Sequence, residues 1–132
     1  MNTADAVHVR RTIVIAEDDL RMRSLLSALA ERAGLLVLPF ASGLAFMTWA
    51  QSVALHDDDV VLVITDVNMP GCNGLDVLGV LRARGSQVPA IVITAFGDEE
   101  THARGKSVGA IVLDKPFDLG VLRKSFALHA SL

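Results

Sequence analysis

Three carboxylates, a hydroxyl and an ammonium in this chain stand where apolar runs give out, and together they suit the handling of a phosphoryl group. The run Ile13 to Ala16 ends in Glu17 and Asp18. Val60 to Thr65 ends in Asp66, Ala90 to Ile93 in Thr94, and Ala110 to Leu113 in Asp114 and Lys115. Carboxylates brought together repel one another, so a hard cation must neutralise them. Oxygen donors without thiolate or imidazole suit Mg²⁺. An Asp carboxylate can attack a phosphoryl group to give an aspartyl phosphate. The transferring group carries spread negative charge and needs cations and donors around it. Lys115 supplies a point charge, and Thr94 a hydroxyl. Each residue also has an ordinary reading alone. Asp66 caps a turn, Glu17-Asp18-Asp19 favours a helix N-terminus, Thr94 ends a strand, and Lys115 is a surface charge. Their placement at four strand ends is what joins them.

The elements that would position them follow in strict alternation. Val61 to Gly74 reads V-L-V-I-T-D-V-N-M-P-G-C-N-G, a buried strand stopping at Asp66 and breaking into a loop. Met22, Leu25, Leu29 and Ala33 give a helix from Leu20 one apolar face, and Gly34 ends it. Leu35 to Phe40 is a second strand, with nothing chemical at its end. Ser42 caps a helix running to about Leu55. Asp57, Asp58 and Asp59 lie before the next strand, at its wrong end for the chemistry, and read as a solvated turn. Leu75 to about Arg84 is a third helix. Asp98 caps a weaker fourth one, to about Val108, in which Gly105 costs about 1 kcal/mol against Ala. Leu119, Leu122, Phe126 and Ala130 share a face of the last helix. Five apolar strands alternating with helices mean a parallel sheet covered on both faces. Such sheets bind ligands outside the carboxyl ends of their strands.

Composition fits one domain: residues 1–11 as a mobile lead-in, then residues 12–132. An apolar fraction of 52% calls either for strands buried on both faces or for a membrane span. The uncharged stretch Ala33 to Leu55 is long enough to span, but Pro39, Ser42, Gly43, Thr48, Gln51 and Ser52 interrupt it. The start carries no apolar core of a signal peptide, so a cytoplasmic place is expected. A net charge of −3 argues against nucleic-acid binding by this chain. Cys72 is the only cysteine, which excludes an internal disulfide and a cysteine-rich zinc site. His8, His56, His102 and His129 have no metal-ligand spacing.

The acidic pair Glu17-Asp18, T-D-V-N-M-P-G around Asp66, I-T-A at Ile93 to Ala95 and D-K-P-F at Asp114 to Phe117 occur in order and at telling separations. With them the chain resembles the receiver domain of two-component response regulators, from about Thr12 to Leu132. The resemblance implies a flavodoxin-like, doubly wound five-stranded sheet in the order 2-1-3-4-5, a three-layer sandwich. It implies that Asp66 accepts a phosphoryl group from a sensor histidine kinase or phosphotransfer protein. It implies Mg²⁺ held by Asp18, Asp66 and the backbone carbonyl of Asn68, with Glu17 near it through a water. Thr94 and Lys115 would bind phosphoryl oxygens, and the Lys115-Pro116 bond would be cis. The fourth helix, fifth strand and fifth helix would form the face that meets an output domain or protein, and that admits a homodimer. Such a chain is a signalling switch rather than an enzyme, catalysing only its own phosphorylation and dephosphorylation.

Two positions depart from the family. Glu17 stands where Asp is more usual. Val112 stands where an aromatic residue often turns inward with the threonine, so the signal is expected to leave through a shift of the fourth helix, loosened by Gly97 and Gly105. A haloacid-dehalogenase-type phosphatase would need a second Asp where Asn68 stands. A phosphorylation-independent interaction module would leave these residues without a task.

Overall fold

The computed structural model describes residues 11–52, 59–95 and 98–131. Five strands alternate with five helices: β1 (Thr12–Ala16), α1 (Leu20–Arg32), β2 (Leu36–Phe40), α2 (Gly43–Ser52), β3 (Val60–Asp66), α3 (Gly74–Ala83), β4 (Ala90–Thr94), α4 (Glu99–Ser107), β5 (Ala110–Asp114) and α5 (Leu119–Ser131). The strands form one parallel sheet in the order β2-β1-β3-β4-β5, as expected. Expectations about residues 1–10, the second helix beyond Ser52, His56, Asp57, Asp58 and Gly97 lie outside the described residues. Asp59 is exposed, in a turn. No helix among the described residues is long and apolar enough to cross a membrane.

Alternate residues of each strand enter two separate cores. Val14, Ala16, Val63 and Val92 pack with Phe46, Leu75, Leu78 and Leu81 of α2 and α3. Ile13, Ile15, Leu62, Ile64, Ile91 and Ile93 pack with Leu26, Leu122 and Phe126 of α1 and α5. This double burial is the reason the strands read as unbroken apolar runs. Side-chain oxygens cap all five helices: Asp19 accepts from the Arg21 amide, Ser42 from Ala45, Asn73 from Leu75, Asp98 from Thr101 and Asp118 from Gly120.

Among the glycines that close approach requires, two seat helices on the flanks of the site. The Gly43 amide donates to the Pro70 carbonyl at 2.9 Å, and a Cβ at Gly43 would run into the Cys72 backbone. The start of α2 is thereby seated against the loop that follows Asp66. On the other side, α4 buries only Gly105. A Cβ there would meet the Cγ2 of Val112, so helix and strand touch with nothing between. The glycine read as a weak point of the fourth helix is the seat on which that helix rests. The remaining ties of α4 are polar. Arg104 pairs with Asp76 of α3 at 2.7 Å, His102 lies 3.0 Å from Asp114, and the Arg82 Nε donates to the Val108 carbonyl at 2.7 Å.

Candidate functional site

Sheet register brings the chemistry together. Ala16 lies opposite Thr65, so Glu17 emerges beside Asp66. Asp66 pairs with Ile93, one residue before Thr94, and Thr94 pairs with Asp114, one before Lys115. Beyond the strands the backbone keeps this order: the Val67 amide donates to Ile93 at 3.0 Å and the Lys115 amide to Thr94 at 2.8 Å. The second strand is an edge, so the four remaining ends converge. The Lys115-Pro116 bond is cis.

The carboxylate oxygens of Glu17, Asp18 and Asp66 lie within 4.8 Å of one another. Glu17, Asp66 and Thr94 are buried, while Asp18 is exposed. The Lys115 ammonium sits 3.4 Å from Asp66 Oδ2 and 3.7 Å from Glu17 Oε1. The Asn68 amide donates to Asp66 Oδ1 at 3.2 Å. Glu17 Oε2 accepts from the Asp19 amide at 3.2 Å, but Glu17 Oε1 is buried with no hydrogen-bond partner among the described residues. A buried carboxylate oxygen without a donor is costly. Beside two further carboxylates it is a place for a cation, and this oxygen-only donor set fits Mg²⁺.

Electrostatics agree. Burial pushes the Glu17 carboxyl up to about 7, and the Asp66 charge adds to it, against the Asp19 amide and Lys115. The unfolded chain releases that proton near 4.5. Between the two values the folded state binds more protons, so this group's contribution to stability falls as pH rises from about 4.5 to about 7. Thermal melts in EDTA are expected to show the wild type losing ground to Glu17→Gln across that interval. A difference that does not change with pH would contradict the burial argument.

Two residues here escaped the sequence reading. The Arg23 Nη1 donates to the Glu17 carbonyl at 2.9 Å and reaches the Asp18 carbonyl at 3.4 Å. Its only sequence signal is a cation near the N-terminal end of a helix, where the dipole disfavours it. Asp114 received no role, yet it holds His102 of α4. Val112 is half-buried and packs into the α2–α3 core.

Comparison with known proteins converges on one family. Residues 13–127 match the family model described as the response regulator receiver domain. The chain is 38% identical over 105 residues to the transcriptional regulatory protein FixJ of Azorhizobium caulinodans, covering 79% of this chain and 47% of that protein. It is 39% identical over 107 residues to the transcriptional regulatory protein CpxR of Klebsiella pneumoniae, covering 80% of this chain and 43% of that one. The chain thus spans about half the length of these relatives. Among solved structures, FixJ-N superposes with a TM-score of 0.72 at 29% identity, over 92% of this chain and 93% of that one. The chemotaxis response regulator CheY4 of Vibrio cholerae gives 0.74 at 26%, over 92% and 99%.

Proposed function

The chain belongs to the response regulator receiver domain family, and on that premise we propose that it is a phosphoacceptor switch whose Asp66 takes a phosphoryl group from a histidine kinase or phosphotransfer protein. The observation that carries this reading is the cluster of three carboxylates, one of them with a buried oxygen that accepts no hydrogen bond, with an ammonium 3.4 Å from Asp66.

Asp18, Asp66 and the Asn68 carbonyl would hold Mg²⁺, with Glu17 acting through a water. When bound, the ion supplies positive charge that offsets the carboxylates and the incoming phosphoryl oxygens. The chain's own groups do the rest. One Asp66 oxygen forms a bond to phosphorus. The bond from phosphorus to the donor imidazole breaks, and the leaving nitrogen keeps the electron pair and takes a proton. Lys115, already beside Asp66, turns its charge onto a phosphoryl oxygen. The Thr94 hydroxyl donates to another. Asn68 steadies the acceptor through its backbone amide. Burial of Asp66 and Thr94 keeps bulk water from diluting these interactions.

The new dianion favours whichever arrangement of Thr94 and Lys115 best embraces it, which is a population shift. Its readout is the face of α4, β5 and α5, offered to an output domain or partner protein. Incubation with Mg²⁺ and acetyl phosphate, followed by intact mass, is expected to add one phosphoryl group, and EDTA to abolish the addition. A chain that stays unlabelled in Mg²⁺, with its fold intact by circular dichroism, would favour a phosphorylation-independent interaction module instead.

A further inference from the structure

We propose that Arg23 is a positioning residue for metal binding, acting on the backbone of Glu17 and Asp18 rather than on their carboxylates. The inference rests on the reading of the site just given.

The turn from β1 into α1 must aim two adjacent acidic side chains at one point, one from a buried and one from an exposed position. It is held at several points. The Glu17 amide donates to the Phe40 carbonyl of β2 at 3.0 Å. Glu17 Oε2 accepts from the Asp19 amide, and Asp19 caps α1. What remains is the carbonyl side of the turn, and Arg23 takes it. Helical side chains lean toward the N-terminus, so a residue one turn into α1 reaches back past the cap. Its Nη1 serves the Glu17 carbonyl at 2.9 Å and lies 3.4 Å from that of Asp18. Fixing those two peptide planes fixes the directions in which both Cα–Cβ bonds leave.

Charge acts both ways on an arginine here, since Glu17, Asp18 and Asp19 attract it while the helix terminus repels it. The first turn of α1 has no acidic residue, and Arg21 and Arg23 both lie near the positive end of its dipole. A bound divalent cation would be repelled as well. The guanidinium nonetheless reaches the two neighbouring carbonyls through a single nitrogen, Nη1, so what it grips is backbone rather than a carboxylate. The rival explanation makes Arg23 a counter-charge for the acids. The two roles predict opposite signs. Loss of a counter-charge tightens Mg²⁺ binding, whereas loss of a positioning group weakens it.

The test titrates the full chain with Mg²⁺ alone in a calorimeter, for wild type, Arg23→Met, Arg23→Lys and Asp66→Asn, with melts of each in EDTA. Arg23→Met is expected to weaken Mg²⁺ binding about tenfold, as for residues that orient metal ligands, with the EDTA melt within a few degrees of wild type. Arg23→Lys keeps the charge and part of the donor capacity and should fall between. Labelling of Arg23→Met by acetyl phosphate should return to the wild-type rate at saturating Mg²⁺, which a general structural defect would not allow. Mg²⁺ binding by Arg23→Met as tight as wild type, or tighter, overturns the proposal. If Arg23→Met does not fold, an unchanged affinity in Arg23→Lys overturns it equally. A wild type that binds no Mg²⁺ sinks the reading of the whole site. Binding that is lost in Asp66→Asn but untouched at Arg23 sinks this inference alone.

Discussion

Asp66→Asn is expected to take up no phosphoryl group under conditions that label the wild type, and to keep its fold. The amide has the carboxylate's shape but lacks its charge and nucleophilic lone pair, so no bond to phosphorus forms. The side chain is buried at the end of β3 beside two other acids. Removing its charge relieves repulsion in that cluster, while Lys115 keeps Glu17 at 3.7 Å. The Asp66 charge is one of the causes that raise Glu17. The Glu17 titration in Asp66→Asn should therefore move down from about 7, read by carboxyl carbon NMR. Two independent readouts, mass and titration, thus address the same side chain. Labelling that persists in Asp66→Asn would mean the phosphoryl group goes elsewhere. A Glu17 titration that stays put would mean the two carboxylates do not sense each other.

The second large effect is expected at Val112. Its Cγ2 fills the place a side chain at Gly105 would need, and α4 offers no other buried residue to the sheet. Val112→Phe puts a ring where helix backbone already lies. Overpacking of this kind costs roughly 1–3 kcal/mol. The compliant partner is α4, because its tie to Asp76 is an exposed ion pair and its tie to Asp114 an exposed histidine contact, of a kind worth about 0–1 kcal/mol each. Amide exchange should quicken along α4 while β1 and β3 stay protected, and Asp66 should still be labelled. Unchanged exchange in α4 with full stability would show that the ring turns outward and that the Gly105 seat does not govern the helix.

The sheet and its site were legible for a common reason. Strands buried on both faces must be apolar almost throughout, so the polar residues where each run gives out mark its carboxyl end. Glu17, Asp66, Thr94 and Lys115 could be picked out that way, and register then places them side by side. Two features were not legible. Gly105 looked like a flaw in a helix because propensity is a local quantity, whereas its reason is a valine on the neighbouring strand. Arg23 was passed over because its partners are carbonyl oxygens, which every residue carries and no sequence displays. The same blindness hid the Arg82 bond to the Val108 carbonyl.

The seating of Gly43 on the Pro70–Cys72 backbone has a mechanical consequence. On that flank of Asp66, main chain meets main chain, and yielding there means dragging a whole helix and its core. On the opposite flank a polar helix leans on one methyl group and a few wet charges. The molecule is stiffer on the α2 flank of its acceptor than on the α4 flank, so a push delivered at Asp66 is expected to displace α4 first.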